Sequence, residues 1–315
     1  MSARPFLKWA GGKGQLLPEL TRRIPPRFAR YHEPFVGGGA FFFSLWSSGR
    51  LACGGVLSDY NHNLIACYRT VRDHARELIE ALLEHKAHSH DRDYFYQIRS
   101  WDRQFGFEQR SEVERAARMI FLNRTCYNGL YRLNNKGKFN APFGYYKNPL
   151  IVDEENMYEV SRALQDVELR EGDFADVLTR AEPGDFVYFD PPYAPISPTA
   201  SFTHYTGRGF GEDQQRRLAD VFRQLLARGC FVMLSNSSTD LTRELYPDQG
   251  AAGIYAQTVR ASRKINCDGT KRGFVDELIA CSYDPGSAES SPAQASPAKG
   301  KRQKTKGKRQ AGISI

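Results

Sequence analysis

The amino-acid sequence predicts an α/β fold, with a doubly wound, Rossmann-like sheet and a mainly helical insertion. Short apolar runs alternate with helical patterns in residues 1–61 and again in 166–283. Residues 62–165 show mainly helical periodicity and no short strand-to-strand connection. A predicted strand also leads through Gly37-Gly38-Gly39 into a helix, as in nucleotide-type cradles. We therefore predict one domain made of 1–61 and 166–283, and an inserted domain, 62–165.

The composition limits the classes of protein to which this chain can belong. The chain has 315 residues and is 41% hydrophobic and 25% charged, which is typical of soluble globular proteins. No apolar run is long enough to span a membrane, and the N-terminus lacks the apolar stretch of a signal peptide, so a cytoplasmic location is expected. Six cysteines are scattered without a Cys-x-x-Cys pair, and we expect no metal site. His85, His88 and His90 lie in a polar stretch that is predicted to be exposed.

Basic residues are concentrated in two segments of a chain whose net charge is +8. Residues 121–150 contain five Lys or Arg and no acid, and residues 286–315 contain seven Lys or Arg and one Glu. Such local basic segments indicate contact with a polyanion. Residues 284–315 are also poor in hydrophobic residues, which predicts a disordered basic tail that either attracts DNA or is simply solvated.

The first predicted element is an apolar arm, Phe6-Leu7-Lys8-Trp9, which is followed by glycines and Lys13. Glycine lets the backbone approach a ligand closely, and Lys13 can supply a positive charge there. The alternative is an arm that only packs Phe6 and Trp9 into the core. A short helix is predicted over 15–23.

The turn from Gly37 to Gly39 connects a predicted strand to an apolar helix. It lacks the G-x-G-x-x-G pattern because position 42 is Phe, and Glu33 before it would repel a pyrophosphate but attract a cation. Asp59 ends the next predicted strand about 20 residues later, where such folds place a ribose-binding acid. A ligand with a ribose, a positive charge and no phosphate is S-adenosylmethionine. Asp59 has an alternative role as the cap of the following helix, and the two roles are compatible.

Residues 121–149 combine turn signals, cations and aromatic rings. Asn128-Gly129 is a turn signal, and a second turn is predicted at 134–139. Basic residues that alternate with aromatic ones suit a reader of duplex DNA, since cations contact phosphate and planar groups contact bases. The alternative is a solvated surface hairpin. We place this hairpin at 127–149.

Phe186-Val187-Tyr188-Phe189 predicts a buried strand that ends at Asp190-Pro191-Pro192-Tyr193, because proline cannot donate to a sheet ladder. The Asp190 carboxylate and the Pro191 carbonyl can both accept hydrogen bonds from an aromatic amino group, which makes its nitrogen a usable nucleophile. Tyr193 can stack on the ring of that base. The alternative is a strand that ends in a proline-rich turn. Asp173 ends another predicted strand and would lie near Asp190 if the two strands were neighbours.

After this corner the pattern of strands and helices continues. Residues 194–211 are predicted to form a mobile loop, and 263–273 a polar loop. The remaining predicted elements are helices at 213–228 and 240–246 and strands at 230–234, 254–259 and 276–281.

Taken in order, these motifs resemble the Dam group of DNA adenine-N6 methyltransferases over roughly residues 5–283. The resemblance implies a Rossmann-like, S-adenosylmethionine-dependent methyltransferase sheet with an inserted DNA-recognition domain. It also implies double-stranded DNA as the partner and no membrane contact. The motifs are Phe-Leu-Lys-Trp-Ala-Gly-Gly-Lys from Phe6, Glu-Pro-Phe-Val-Gly-Gly-Gly from Glu33, Leu57-Ser58-Asp59, the basic hairpin, Gly172-Asp173-Phe174 and Asp-Pro-Pro-Tyr from Asp190.

The resemblance also implies roles for individual residues. Catalysis is assigned to Asp190, Pro191 and Tyr193. The cofactor is assigned to Trp9, Lys13, Glu33, Phe35, Gly37, Gly39, Asp59, Asp173 and Asp190. DNA contact is assigned to Lys8, Arg124, Tyr127, Asn128, Leu130, Arg132, Lys138, Asn140 and Pro142.

The hairpin resembles that of family members that read 5′-GATC-3′, through Tyr-Asn-Gly-Leu-x-Arg from Tyr127 and Phe-Asn-x-Pro-Phe-Gly from Phe139. The resemblance implies that Arg132 pairs with one guanine and Lys8 with the other. Tyr127 would wedge into the base stack, and Asn128 would meet the thymine that loses its partner. Leu130 and Pro142 would then pack on base edges.

The same chemistry at another recognition sequence, on cytosine-N4 or on RNA, is the nearest alternative. A nicotinamide-dependent oxidoreductase is disfavoured by Glu33 before the glycines and by the Asp190 corner. A DNA-binding protein without catalysis is disfavoured because Asp190 and Tyr193 are both present.

Overall fold

The computed structural model describes residues 2–9, 11, 13–51, 53–196, 210–262 and 274–286. Within these residues a seven-stranded sheet has the order β3-β2-β1-β4-β5-β7-β6. Strands β1 to β5 are parallel, and β7 runs antiparallel to both β5 and β6. The strands are β1 Tyr31–Glu33, β2 Gly55–Asp59, β3 Val167–Glu171, β4 Phe186–Phe189, β5 Phe231–Ser237, β6 Tyr255–Ser262 and β7 Phe274–Cys281.

Helices cover both faces of the sheet, as the alternating pattern predicts. Phe186 and Tyr188 belong to a large core that extends into α2, α3 and α6, whereas Val187 and Phe189 face the opposite side and pack in a core with α8. This period of two within β4 follows from the pleat of a strand. The helices are α1 Leu17–Arg22, α2 Ala40–Ser47, α3 His62–Asp73, α4 Ala75–Ala87, α5 Arg92–Ser100, α6 Glu112–Thr125, α7 Glu154–Leu164, α8 Glu212–Arg228 and α9 Asp240–Leu245.

Helices α3 to α7 lie between β2 and β3 in the chain, where the insertion is predicted. Arg69 and Arg72 of α3 donate to the carbonyls of Leu169 and Val167 in β3, at 2.9 and 3.1 Å, so the insertion begins against the sheet. The periodicity of residues 61–85 predicts one helix, and this prediction is wrong, because the chain breaks at His74 between α3 and α4. The division of the chain into two domains stays a prediction.

The hairpin at 127–149 is irregular, with isolated antiparallel bridges between Cys126 and Phe143 and between Leu133 and Phe139. Its tip is closed by two backbone bonds, Asn134 N–H to the Lys138 carbonyl at 2.9 Å and Gly137 N–H to the Asn134 carbonyl at 2.8 Å. The Asn128-Gly129 signal forms a separate turn at its base, where φ of Asn128 is 57°.

A buried carboxylate anchors this hairpin to the helices. Asp102 is 6% exposed, accepts the N–H of Phe139 at 2.8 Å and lies 2.9 Å from Nη2 of Arg118 in α6. Removing Asp102 would leave the buried guanidinium of Arg118 without this acid and the N–H of Phe139 without its acceptor, so Asp102 helps to fix where the hairpin lies on the helical segment.

Most of the predicted loop 194–211, the polar loop 263–273 and nearly all of the tail 284–315 lie outside the described residues. No helix in the described ranges is long and apolar enough to cross a bilayer.

Candidate active site

The candidate site lies where the strand order reverses. Strand β1 pairs with β2 on one side and with β4 on the other, so the carboxyl ends of β1 and β4 form a crevice. Glu33 is the last residue of β1, and Asp190 directly follows β4. The topology therefore brings two acidic residues together that lie far apart in the sequence.

Asp190 is held by two polar side chains. Lys13 Nζ lies 2.6 Å from Oδ1 of Asp190, and the Ser235 hydroxyl donates to the same oxygen at 3.2 Å. The side chains of Lys13 and Asp190 keep 8% and 18% of their surface exposed. Burial raises the pKa of Asp190, while the Lys13 ammonium and the hydroxyl of Ser235 act in the opposite direction. Burial and these two partners thus act on the pKa of Asp190 in opposite directions, and burial has the larger effect.

Tyr193 is held by one contact to its hydroxyl group and another to its ring. Its hydroxyl donates to Oε2 of Glu277 at 2.8 Å, and the ammonium of Lys13 lies 4.3 Å from the centre of its ring. Glu277 reaches this position because β7 pairs with β5 in a register that sets Glu277 opposite Ser237. A face of the Tyr193 ring is thus turned towards Lys13.

Buried amides fix the backbone that follows Pro191. The N–H of Ala194 donates to Oδ1 of Asn236 at 2.9 Å, and Asn236 donates to Gln215 at 2.9 Å. Gln215 in turn donates to the carbonyl of Pro192 at 3.0 Å. Asn236 and Gln215 are both buried, so this closed set of bonds gives the corner one conformation.

Glu33 is buried on the other side of the crevice. Its Oε2 accepts the hydroxyl hydrogen of Tyr31 at 2.8 Å, and burial raises the pKa of Glu33 to about 8. An incoming cation would favour the ionised form of this carboxyl. The group is therefore suited to a positively charged ligand.

The glycine turn is shaped by the arm. Gly37 has φ of 47°, and a Cβ there would lie 2.7 Å from Cδ1 of Trp9, so the indole packs directly on the turn. Oδ2 of Asp59 accepts the N–H of Gly37 at 3.2 Å, and burial raises the pKa of Asp59 to about 6. Gly39 also has a positive φ, of 67°.

The capping role considered for Asp59 belongs to its neighbour. Asn61 caps α3, since its side chain accepts the N–H of Leu64 at 3.2 Å. Asp59 supports this cap through Oδ1, which accepts the N–H of Asn61 at 2.9 Å. The carboxylate thus binds the ends of both the glycine turn and α3.

Phe35 and Asp173 lie on the side of the site away from the insertion. The ring of Phe35 stacks on Phe174, with centroids 5.4 Å apart. Asp173 caps the turn Phe174–Thr179 and forms two bonds with Arg217, at 2.8 and 2.7 Å. Asp173 does not stand beside Asp190, because β2 and β1 separate β3 from β4.

The predicted DNA-contacting residues lie along the hairpin and the arm. Oδ1 of Asn140 accepts from Nε of Arg132 at 2.7 Å, which orients the guanidinium. Lys8 Nζ lies 4.5 Å from the centre of the Tyr146 ring. Tyr127, Asn128 and Pro142 are exposed, Leu130, Lys138 and Asn140 are half-buried, and Arg124 donates to the carbonyl of Phe6 at 2.6 Å.

Sequence reasoning missed Ser235, Asn236, Gln215 and Glu277, all of which support the Asp190 corner. A signal was present for two of them, because Ser235-Asn236 is polar yet continues a buried apolar strand. Gln215 and Glu277 carried no such signal. Within the described residues, no group of three or more His, Cys, Asp or Glu side chains is arranged to hold a metal ion.

Residues 9–262 match the protein family described as D12 class N6 adenine-specific DNA methyltransferase. A type II methyltransferase of Lactococcus lactis subsp. cremoris is 43% identical over 285 residues, covering 90% of this chain and 96% of that protein. A type II methyltransferase of Methanocaldococcus jannaschii is 43% identical over 296 residues, covering 90% and 100%. The DNA adenine methylase of Escherichia coli K12 is 38% identical over 284 residues, covering 90% and 96%.

Proposed function

The chain belongs to the D12 class of N6 adenine-specific DNA methyltransferases, and we propose that it methylates an adenine flipped out of duplex 5′-GATC-3′, with S-adenosylmethionine as the methyl donor. The observation that carries this proposal is the corner after β4. There the carboxylate of Asp190 lies between Lys13 and Ser235, beside the ring of Tyr193. This arrangement offers a flat aromatic amine both a hydrogen-bond acceptor and a stacking surface.

The donor set at the crevice fits S-adenosylmethionine. Glu33 offers a buried carboxyl to a cation, Asp59 offers a carboxylate to a ribose, and Trp9 lies against the glycine turn. When bound, this molecule supplies an electrophilic methyl group on its sulfonium. We assign its binding to Trp9, Lys13, Glu33, Phe35, Gly37, Gly39, Asp59, Asp173 and Asp190.

On the acceptor side, the Asp190 carboxylate and the Pro191 carbonyl accept hydrogen bonds from the adenine amino group, and Tyr193 stacks on the base. These bonds draw the nitrogen lone pair out of conjugation with the ring. N6 would take the methyl group that bound S-adenosylmethionine supplies, and it would then give up a proton. Since burial raises the pKa of Asp190, its carboxylate is suited to receive that proton. Flipping costs a few kcal/mol, which the contacts of Tyr193 and Asp190 offset.

Sequence choice is assigned to the hairpin and the arm. Asn140 presents the Arg132 guanidinium as a planar fork, the geometry that pairs with the O6 and N7 atoms of guanine. Tyr127 has 57% of its surface exposed at the hairpin base, where it can enter the base stack beside Asn128. Lys8 contributes the second guanine contact.

The test is to incubate the purified protein with unmethylated plasmid and S-adenosylmethionine and to map modified bases at single-nucleotide resolution. N6-methyladenine confined to GATC is the expected result. N6-methyladenine at another sequence would overturn the roles of Lys8, Arg132 and Pro142, and modified cytosine would overturn the choice of base. Cofactor binding without any modified base would overturn the reaction itself.

A further inference from the structure

Asn123 is a fully buried residue of α6 that bonds two segments far apart in the sequence. Its Oδ1 accepts the backbone N–H of Lys8 at 2.8 Å. Its Nδ2 donates to the carbonyl of Lys8 at 2.7 Å and to that of Gly129 at 3.0 Å. One amide therefore ties the arm to the base of the hairpin, and its loss would remove the partner of a buried carbonyl at Gly129 and of partly buried backbone groups at Lys8.

On the arm side, this bond controls a residue at the cofactor site. Trp9 follows Lys8 directly, and its indole touches the turn at Gly37, whose N–H bonds to Asp59. The position of the Lys8 backbone and the position of the glycine turn are thus linked through the indole.

On the hairpin side, the same bond lies next to the residues assigned to the DNA. Gly129 follows Asn128, and a Cβ on Gly129 would lie 2.5 Å from Cδ of Lys8, so arm and hairpin are in close contact there. Two further contacts join them: the ring of Tyr131 stacks on Trp9 with centroids 5.6 Å apart, and Lys8 Nζ lies over the ring of Tyr146.

We infer that Asn123 is a positioning residue that couples cofactor binding to recognition of the DNA sequence. A ligand against Trp9 and Gly37 fixes the Lys8 backbone, and Asn123 transmits that constraint to Gly129 and so to the turn that carries Asn128. By linkage, DNA bound at the hairpin tightens the cofactor by the same factor. The inference rests on the proposed function, because it takes Trp9 as a cofactor contact and Asn128 as a DNA contact.

The chain contains a matched control for Asn123. Asn156 of α7 is also buried and makes the same pair of bonds to the arm, accepting from the N–H of Arg4 at 2.9 Å and donating to its carbonyl at 3.0 Å. Asn156 makes no bond to the hairpin in the described structure. Replacing Asn156 therefore shows how loosening the arm alone changes the binding of DNA.

The experiment measures the dissociation constant of a GATC duplex and of a scrambled duplex by fluorescence anisotropy, with and without saturating S-adenosylhomocysteine. In the wild-type protein and in Asn156→Ala, the ligand should tighten the GATC duplex about fivefold or more. In Asn123→Ala this ratio should fall to about one, with binding of the scrambled duplex unchanged. Equal ratios in all three proteins, or a ratio of one in the wild type, would overturn the coupling.

Failure of the proposed function gives a different result, namely no preference of the wild-type protein for the GATC duplex. If Asn123→Ala does not fold, hydrogen exchange of the wild-type protein decides. S-adenosylhomocysteine should then slow exchange in residues 126–133 as well as in the turn at 35–39. Slowing at 35–39 alone would overturn the inference.

Discussion

The ammonium nitrogen of Lys13 lies 2.6 Å from Oδ1 of Asp190 and 4.3 Å from the ring centre of Tyr193. One cation thus contacts both the group assigned to bind the adenine amine and the ring assigned to stack on the base. In the proposed reaction, adenine and Lys13 compete for the same contacts, so we expect Lys13 to move when the base enters.

Lys13 also lowers the pKa of Asp190, against the larger effect of burial. Replacing it in Lys13→Met removes the cation that favours the ionised carboxylate, so the pKa of Asp190 should rise further. Because the proposed mechanism uses the ionised carboxylate, the acidic limb of the profile of kcat/KM against pH, which reports the free enzyme, should move upward by about one to three units. Lys86→Met, at the exposed end of α4, is the control. An unshifted limb in Lys13→Met would contradict the proposed ion pair.

Asp190→Asn keeps the size of the side chain but removes its charge and its capacity to take a proton. The single-turnover rate should fall by about 10²–10⁴-fold, the usual contribution of a positioned acid or base. Affinity for a GATC duplex should stay within about twofold. Asp220→Asn, an exposed residue of α8 paired with Arg223, should change neither quantity. Normal turnover in Asp190→Asn would refute the mechanism.

Arg132→Ala should relax sequence choice more than it weakens binding overall. The lost guanine contact is worth about 1–3 kcal/mol of discrimination, which is measured as the ratio of kcat/KM on GATC and on singly altered duplexes. Lys136→Ala, at the exposed tip of the hairpin, should instead weaken all duplexes alike and lower the salt dependence of binding. Unchanged selectivity in Arg132→Ala would show that another residue reads the guanine.

Glu33 should make stability depend on pH. Its pKa is raised from 4.5 to about 8 by burial, so the folded protein holds a proton that the unfolded chain releases between these values. The contribution of Glu33 to the free energy of unfolding is therefore greatest at low pH and is lost as the pH rises through this window. Urea unfolding of Glu33→Gln should show a flatter pH dependence than the wild type between about pH 5 and pH 8. Glu112 is exposed at the start of α6, and Glu112→Gln should show the same pH dependence as the wild type. If the free energy of unfolding of Glu33→Gln had the same slope against pH as that of the wild type, the raised pKa of Glu33 would be contradicted.

Most of the sheet could be predicted from the sequence because its strands are short apolar runs with local boundaries. The final strand, predicted at 276–281, extends from Phe274 to Cys281, and the helix predicted at 213–228 begins one residue earlier. Strand order is set by pairings between distant segments, and local periodicity does not contain it. For that reason the position of Asp173 relative to Asp190 could not be predicted from the sequence.

Burial of single polar residues was also beyond the sequence. His85 was predicted to be exposed, and this is wrong: it is 6% exposed, its ring stacks on Phe121, and its Nδ1 lies 2.7 Å from the hydroxyl of Tyr94. A histidine in a polar stretch gives no sign that its face of α4 packs on α6. The roles of Glu277 and Asn123 could not be predicted for the same reason, since these roles depend on partners far along the chain.

The hydrogen bonds between distant parts of the chain affect the order in which the newly made protein folds. Arg4 bonds to a residue 152 positions later, and Tyr193 to one 84 positions later. Contacts of such long range form late, because closing the intervening loop costs entropy first. A chain still emerging from the ribosome therefore lacks Glu277 long after Lys13 has been made. We expect incomplete chains to have no methyltransferase activity until β7 has joined the sheet.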